Sequence, residues 1–237
     1  MSAWIRSSSE EDGSTPGMYW YNNDGGQRAL FKPNEVMGEA RREYACYLIA
    51  GFLGIENVKI ELIYLENVFG CLSYDFKTDK RKKFKSANAI CFDKTQGIEF
   101  SYSSFLNKVN KYTRRQLIDM LFFDLLVNQK DRHQFNFEFE VDDFGSIIRM
   151  APIFDNGQSL CAQEQFSYLP WNFGEHEKHF EVFEQAMVSY KHQLYSLFLK
   201  CKTNEFEGLL NSKPITAYKS GIKERIKNLN FLLIKSE

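Results

Sequence analysis

Leu117, Ile118, Leu121, Phe122, Leu125 and Leu126 recur at spacings of three and four, which gives one long helix a broad apolar face. The densest polar cluster of the chain, Asn128-Gln129-Lys130-Asp131-Arg132-His133-Gln134-Phe135-Asn136, follows directly. A helix with so wide an apolar face lies in a core, so the cluster sits on a rigid mount, as functional loops do. A short hairpin comes next, with strands Phe135–Val141 and Ser146–Ile153 around a turn at Asp142–Gly145. Its second strand runs into Ala151-Pro152-Ile153-Phe154-Asp155-Asn156-Gly157, which holds the Asp155 carboxylate at a strand end. Two acids and an amide on adjacent strands, Asp131, Asn136 and Asp155, can converge on one point. Such a set suits Mg²⁺, which takes one or two carboxylates plus substrate phosphates. Taken singly, either acid reads as an ordinary turn cap.

The chain has 237 residues, 43% hydrophobic, 26% charged and 16% aromatic, which fits a globular protein and excludes a disordered tail, a collagen-like repeat or a heptad rod. Thirty basic against 31 acidic side chains leave a formal charge of −1, so no specific nucleic acid is expected as a partner. No stretch approaches the ~20 apolar residues of a membrane span. The N-terminus MSAWIRSSSEEDG lacks a signal peptide's apolar region, which makes the expectation cytoplasmic. Five scattered cysteines without a CxxC pair predict reduced, mostly buried thiols rather than a disulfide framework or a zinc site.

The first third reads as strands. Met18–Asn22 and Gln27–Lys32 flank Asn23-Asp24-Gly25-Gly26, where Asp-Gly supplies the positive φ of a tight hairpin, and Trp4–Arg6 pairs across a loop from Ser7 to Gly17. Pro33-Asn34 opens a helix to about Leu53, stopped by Gly54, with Val36, Ala40, Tyr44, Tyr47 and Leu48 as its apolar face. Strands Val58–Tyr64 and Phe69–Tyr74 follow, then a charged stretch, Lys77–Lys85, that marks a lobe boundary. The long helix starts at Thr113, whose spacing to Gln116 is that of a capping box. From Glu175 to Glu237 the pattern is helical, interrupted near Ser212–Pro214. Strands first and helices last make an α+β protein of two unequal lobes.

The first third also holds what phosphate chemistry needs. Gly13-Ser14-Thr15-Pro16-Gly17 offers bare backbone N–H groups, and Lys32 ends the third strand at a lobe edge. Glu43 lies within about 60° of Val36, Ala40 and Tyr47 at about 100° per residue, so it borders the buried face and needs a partner; Lys32 is the obvious one. Glu39 lies further round, where it can pair with Arg42 at the surface.

With these residues in order, the chain resembles the HipA-like bacterial kinases, a group with a protein kinase-like fold related to the phosphatidylinositol kinases. Asp131-Arg132-His133-Gln134-Phe135-Asn136 matches that family's D-x-H-x-x-N, and Ala151 to Leu160 matches its A-P-x-[YF]-D segment with the small and Ser residues that follow. Glu43-Tyr44-Ala45-Cys46 through Leu53-Gly54-Ile55 resembles its E-x-x-C…LG[IL] segment. The family's usual Asn stands two residues before the acid, whereas Asn128 stands further off, and the glycine loop lacks the family's recurring pattern.

The resemblance implies a two-lobed fold in one domain of residues 1–237, with a small, mostly β N-lobe (1–76) and a mostly helical C-lobe (77–237). It implies that Lys32, oriented by Glu43, holds the α/β-phosphates, that Asp131 is the base at the acceptor hydroxyl, and that Asn136 and Asp155 bind Mg²⁺. It assigns Gly13, Ser14, Thr15, Gly17, the hinge residues Tyr74, Asp75 and Phe76, and His133 to ATP. The activity implied is phosphotransfer to a protein Ser/Thr hydroxyl, including autophosphorylation within the Ser7–Gly17 loop. A protein substrate and an antitoxin or other regulatory protein are the implied partners. The competing readings are a nucleotide-binding pseudokinase or regulatory module acting through a partner, and a lipid or small-molecule kinase. The run Asp79–Lys85 reads as a solvated loop before it reads as an RNA or phospholipid site, and His176 with His179 as surface histidines before a metal pair.

Overall fold

The computed structural model describes residues 3–11, 17–34, 38–91, 109–133, 135–160 and 179–235. Strands β1 (Trp4–Glu11), β2 (Tyr19–Asn23), β3 (Arg28–Pro33), β4 (Ile60–Leu65) and β5 (Val68–Tyr74) form an antiparallel sheet of order β1-β2-β3-β5-β4. Alternation sends Ala29, Phe31 and Leu72 to one face with Tyr21, while Lys32 and Cys71, opposite each other in register, point to the other. Helix α1 (Glu39–Leu53) covers that second face.

The second part of the chain begins with β6 (Lys83–Ser86) and α2 (Ala87–Cys91), then α3 (Lys111–Val127), β7 (Glu138–Val141) and β8 (Ile147–Met150). Helices α4 (His179–Lys200), α5 (Asn204–Leu210) and α6 (Lys219–Lys235) complete it. The three short strands make an antiparallel sheet β6-β7-β8. All six apolar residues that define the face of α3 are fully buried, and Met120, Phe123 and Val127 on its other side are buried too. The fold is α+β, a small strand-rich lobe and a larger helical one.

Several local expectations change. β1 continues through Ser7–Ser9 to Glu11, with a register irregularity after Arg6, so the loop before β2 is shorter than the hydroxyl-rich sequence implies. In the β2–β3 turn the positive φ falls on Gly26 (74°) because the Asn23 side chain accepts the Gly25 and Gln27 N–H groups and shapes the bend. Pro33 closes β3 instead of opening a helix, and α1 starts at Glu39 behind a left-handed Gly38. Gly54, φ 77°, ends it as its position predicts. The apolar surface of α1 is wider than the single face read from the sequence. Ala40 packs toward the sheet with Tyr44 and Tyr47, while Ala45, Cys46, Ile49, Ala50 and Leu53 join the large core, because the helix lies between the two. α3 is capped by Asn110, whose Oδ1 accepts the Thr113 N–H at 2.9 Å; Gln116 instead accepts the Met150 N–H, so the capping box is not formed.

Cys46, Cys71 and Cys201 are buried free thiols, as expected, and burial pushes Cys201 up to about 12. No helix among the described residues is long and apolar enough to cross a membrane.

Candidate active site

The two halves of the molecule are joined where the segment after α1 meets the end of the hairpin. Asn57 and Ile153 form a parallel bridge, with Val58 N–H donating to Ile153 O and Ile153 N–H to Glu56 O, both at 3.0 Å. This pairing delivers the chain to Asp155 beside β3 and α1. Asp155 then adopts φ 57°, a left-handed conformation that Asp tolerates better than most residues.

Lys32 is 4% exposed and lies between two carboxylates, 2.6 Å from Glu43 Oε1 and 2.7 Å from Asp155 Oδ1. The pairing of Lys32 with Glu43 is the one expected from the helix geometry. Burial opposes the Lys32 charge, but Asp155 and Glu43 outweigh it and hold its pKa well above the usual lysine value. The Lys32 ammonium in turn pulls Asp155 below the usual carboxylate range. Glu43 spends its other oxygen on the Asn156 N–H at 3.0 Å, so one carboxylate fixes both the lysine and the backbone just past Asp155.

Glu39 departs from expectation. It is not at the surface: it is 7% exposed, and Arg42 is buried beside it with Nε donating to Gly157 O at 2.6 Å. The cause is Gly157, since a Cβ there would stand 2.2 Å from Glu39 Cγ. Desolvation raises the Glu39 pKa, with Lys32 acting against it.

The polar cluster after α3 is organised by a residue to which its sequence motif assigns no role. Arg132 is fully buried, and its five N–H groups make five hydrogen bonds. Two grip Asp124 in a bidentate pair at 3.1 Å, two reach the Asn136 and Phe154 carbonyls at 2.7 Å, and one reaches Asn156 Oδ1 at 2.6 Å. One guanidinium therefore ties α3, the loop carrying Asp131 and Asn136, and the Asp155 segment together. Gln129 stands two residues before Asp131. Its Oε1 accepts the Asp131 N–H at 3.0 Å and its Nε2 donates to Asp155 O at 2.9 Å. A carboxamide at that position bridges the two acid-bearing segments.

Asn136 Nδ2 donates to Asp131 O at 2.7 Å and to Asp131 Oδ2 at 3.3 Å, which fixes the carboxamide with Oδ1 as its remaining acceptor. His133 Nδ1 accepts the Phe135 N–H, and its Nε2 stands 3.7 Å from Asp131 Oδ1. Half of the Asp131 side chain is exposed.

The remaining sequence candidates divide. Phe76 stacks on Phe154 at 5.6 Å, next to Asp155, and Asp75 pairs with Arg28. Tyr74 turns its ring to the sheet face opposite Lys32, edge-on to Trp4, and its hydroxyl donates to Glu61. Gly17 has φ 88°, while Gly13, Ser14, Thr15 and His176 lie outside the described residues. Arg132, Asp124, Gln129, Glu39 and Arg42 were not among the candidates. Asp124 alone carried a usable signal, an acid inside the apolar run Met120–Val127.

A profile of the HipA-like C-terminal domain matches residues 7–210. No curated protein matches the chain by sequence. Among solved structures, the Helicobacter pylori proinflammatory kinase CtkA is similar at a TM-score of 0.60 and 16% identity, over 93% of this chain and 95% of that one. A chain of the Shewanella oneidensis MR-1 toxin–antitoxin complex of HipA, HipB and operator DNA gives 0.47 at 12% identity, over 88% of this chain and 59% of that one. The golgi casein kinase gives 0.45 at 10% identity, over 94% and 72%. The extent of the profile match settles the family, and the first of these structures shows the fold: the chain belongs to the HipA-like C-terminal domain family and has a kinase-like fold.

Proposed function

We propose that the protein is an ATP- and Mg²⁺-dependent kinase acting on a protein Ser/Thr hydroxyl, itself included, through one domain of residues 1–237 with lobes 1–76 and 77–237. The observation that carries this reading is Lys32 held between Glu43 and Asp155. An ammonium has three donors; two are engaged here, and the third is left for a phosphate oxygen. Asp155 keeps Oδ2 and Asn136 keeps Oδ1, two hard oxygens of the kind Mg²⁺ takes alongside phosphates and water. ATP with Mg²⁺, when bound, supplies the phosphoryl group and neutralises the charge that develops on it.

The chain's own residues do the rest. Glu43 orients Lys32 toward the nucleotide phosphates, and Arg132 holds the Asp131 and Asp155 segments at a set separation. Asp131, exposed and backed by Asn136, accepts the proton of the acceptor hydroxyl as it attacks. A pure binding module would have no chemical use for that carboxylate.

Binding and transfer are to be measured separately. ATP-Mg²⁺ at a hundred times its Kd should stabilise the fold by about 2.7 kcal/mol. Asp131→Asn should abolish phosphate transfer, including incorporation into the chain itself, and leave that stabilisation nearly intact. Asp155→Asn should weaken both, and Asn suits φ 57° there, so the change is one of charge rather than backbone. No thermal shift at millimolar ATP-Mg²⁺ would defeat the kinase reading. Binding without transfer to any acceptor would leave a regulatory module.

A further inference from the structure

Glu39 and Glu43 stand one helical turn apart on α1 and face the same cluster, but only Glu43 is paired. Glu43 has Lys32 and the Asn156 N–H. Glu39 is 93% buried, lies in the field of Lys32, Asp155 and Glu43, and makes no hydrogen bond or ion pair among the described residues. Its place is made by Gly157: a Cβ there would fall 2.2 Å from Glu39 Cγ and 2.3 Å from Oε1, so the carboxylate lies against the backbone two residues past Asp155. The cluster holds three carboxylates, Glu39, Glu43 and Asp155, against Lys32 and Arg42. It is one positive charge short.

A carboxylate this buried without an ion-pair partner is expensive, and the fold keeps one here beside the paired Glu43 and Asp155. A hard divalent cation is the partner that supplies both charge and ligation. We propose that Glu39 is a ligand for a divalent cation shared with Asp155, so that the site takes up the ion before any nucleotide arrives. No three His, Cys, Asp or Glu side chains among the described residues stand close enough to enclose an ion. Two carboxylates, the Asn136 carboxamide and water are the set expected for Mg²⁺, which keeps several waters. The inference rests on the reading of Asp155 as an ion ligand, and it adds a residue outside the D-x-H-x-x-N and A-P-x-[YF]-D segments.

Mn²⁺ alone, titrated into the full chain and followed by the paramagnetic signal of the free ion, tests this without nucleotide or turnover. Wild type should bind the ion. Glu39→Gln should weaken binding about tenfold or more, since even an outer-shell partner is worth about 10–100-fold. Gly157→Ala should do the same by pushing Glu39 aside, and Glu224→Gln, exposed on α6, should change nothing. Glu39→Gln should also raise the thermal midpoint of the unliganded protein, because it removes an unpaired buried charge. Unchanged Mn²⁺ affinity in Glu39→Gln, a lowered midpoint, or a wild type that binds no Mn²⁺ alone would each overturn the proposal. Mn²⁺ binding that depends on Glu39, in a chain that ATP never stabilises, would overturn the kinase reading and leave this one standing.

Discussion

The Lys32 cluster and the Lys77–Lys85 stretch are both rich in charge, and the fold treats them in opposite ways. In the stretch, exposed cations reach separate carboxylates: Lys77 with Glu138 at 2.7 Å, Lys82 with Glu140 at 3.5 Å, Lys83 with Asp143 at 2.8 Å, and Arg81 with Asp79 at 2.9 Å. Three of these tie β6, an edge strand, and the segment leading into it to the β7–β8 hairpin, and lysines there also blunt the open edge. Around Lys32 the charges share partners, Lys32 and Glu43 are buried, and the three residues come from distant parts of the chain. Density of charge along the sequence marks a solvated edge. Convergence of charge in space marks the site.

The largest effect expected of this contrast is at Arg132. Arg132→Met should destabilise the protein by about 3–5 kcal/mol, because it takes the guanidinium away from the buried Asp124 carboxylate and leaves the Asn136 and Phe154 carbonyls without it. Denaturant unfolding measures this, and a loss under about 1 kcal/mol would mean the pair is not the strut described. A smaller effect should appear in acid. A carboxyl whose folded pKa is depressed adds stability that is complete above its ordinary value, near 3.9, and is lost as pH falls through the depressed one. The Lys32–Asp155 pair should therefore contribute fully at neutral pH and disappear below about pH 4. Asp155 is 37% exposed, so solvent screening keeps the contribution modest. In Lys32→Met that part of the acid limb should be missing; an unchanged limb would show that the pair adds nothing. Least of all should happen at the edge. Lys82→Ala and Lys83→Ala should leave the thermal midpoint where it was, and a clear drop in either would mean that the stretch does more than satisfy its own surface.

The same contrast explains what could be read from the sequence. Asp131, Asn136 and Asp155 stand in a spacing that only a loop–hairpin mount explains, and Glu43 follows from helix geometry plus the need of a buried carboxylate for a partner. That argument, applied to Asp124 within its apolar run, would have led to Arg132 as well. Glu39 and Arg42 were out of reach for a different reason. Their burial depends on Gly157, more than a hundred residues away, which lets α1 close onto the Asp155 segment. Helix periodicity carries no information about what a distant glycine permits. The onset of α1 was misplaced because Pro33, a natural first residue of a helix, is held in β3 opposite Gly70.

The bridge at Asn57 and Ile153 has a mechanical meaning. The five-stranded sheet and the helical lobe are joined covalently through Tyr74–Lys77, and by hydrogen bonds through Glu56–Val58 and Ile153. Helix α1 is a third joint, since Ala45, Cys46, Ile49, Ala50 and Leu53 pack in the large core and Arg42 donates to Gly157 O. Two joints alone would define a line about which one part could still turn. A third joint off that line removes the rotation, so Lys32, Glu43 and Asp155 keep their separations, like a shelf on three brackets.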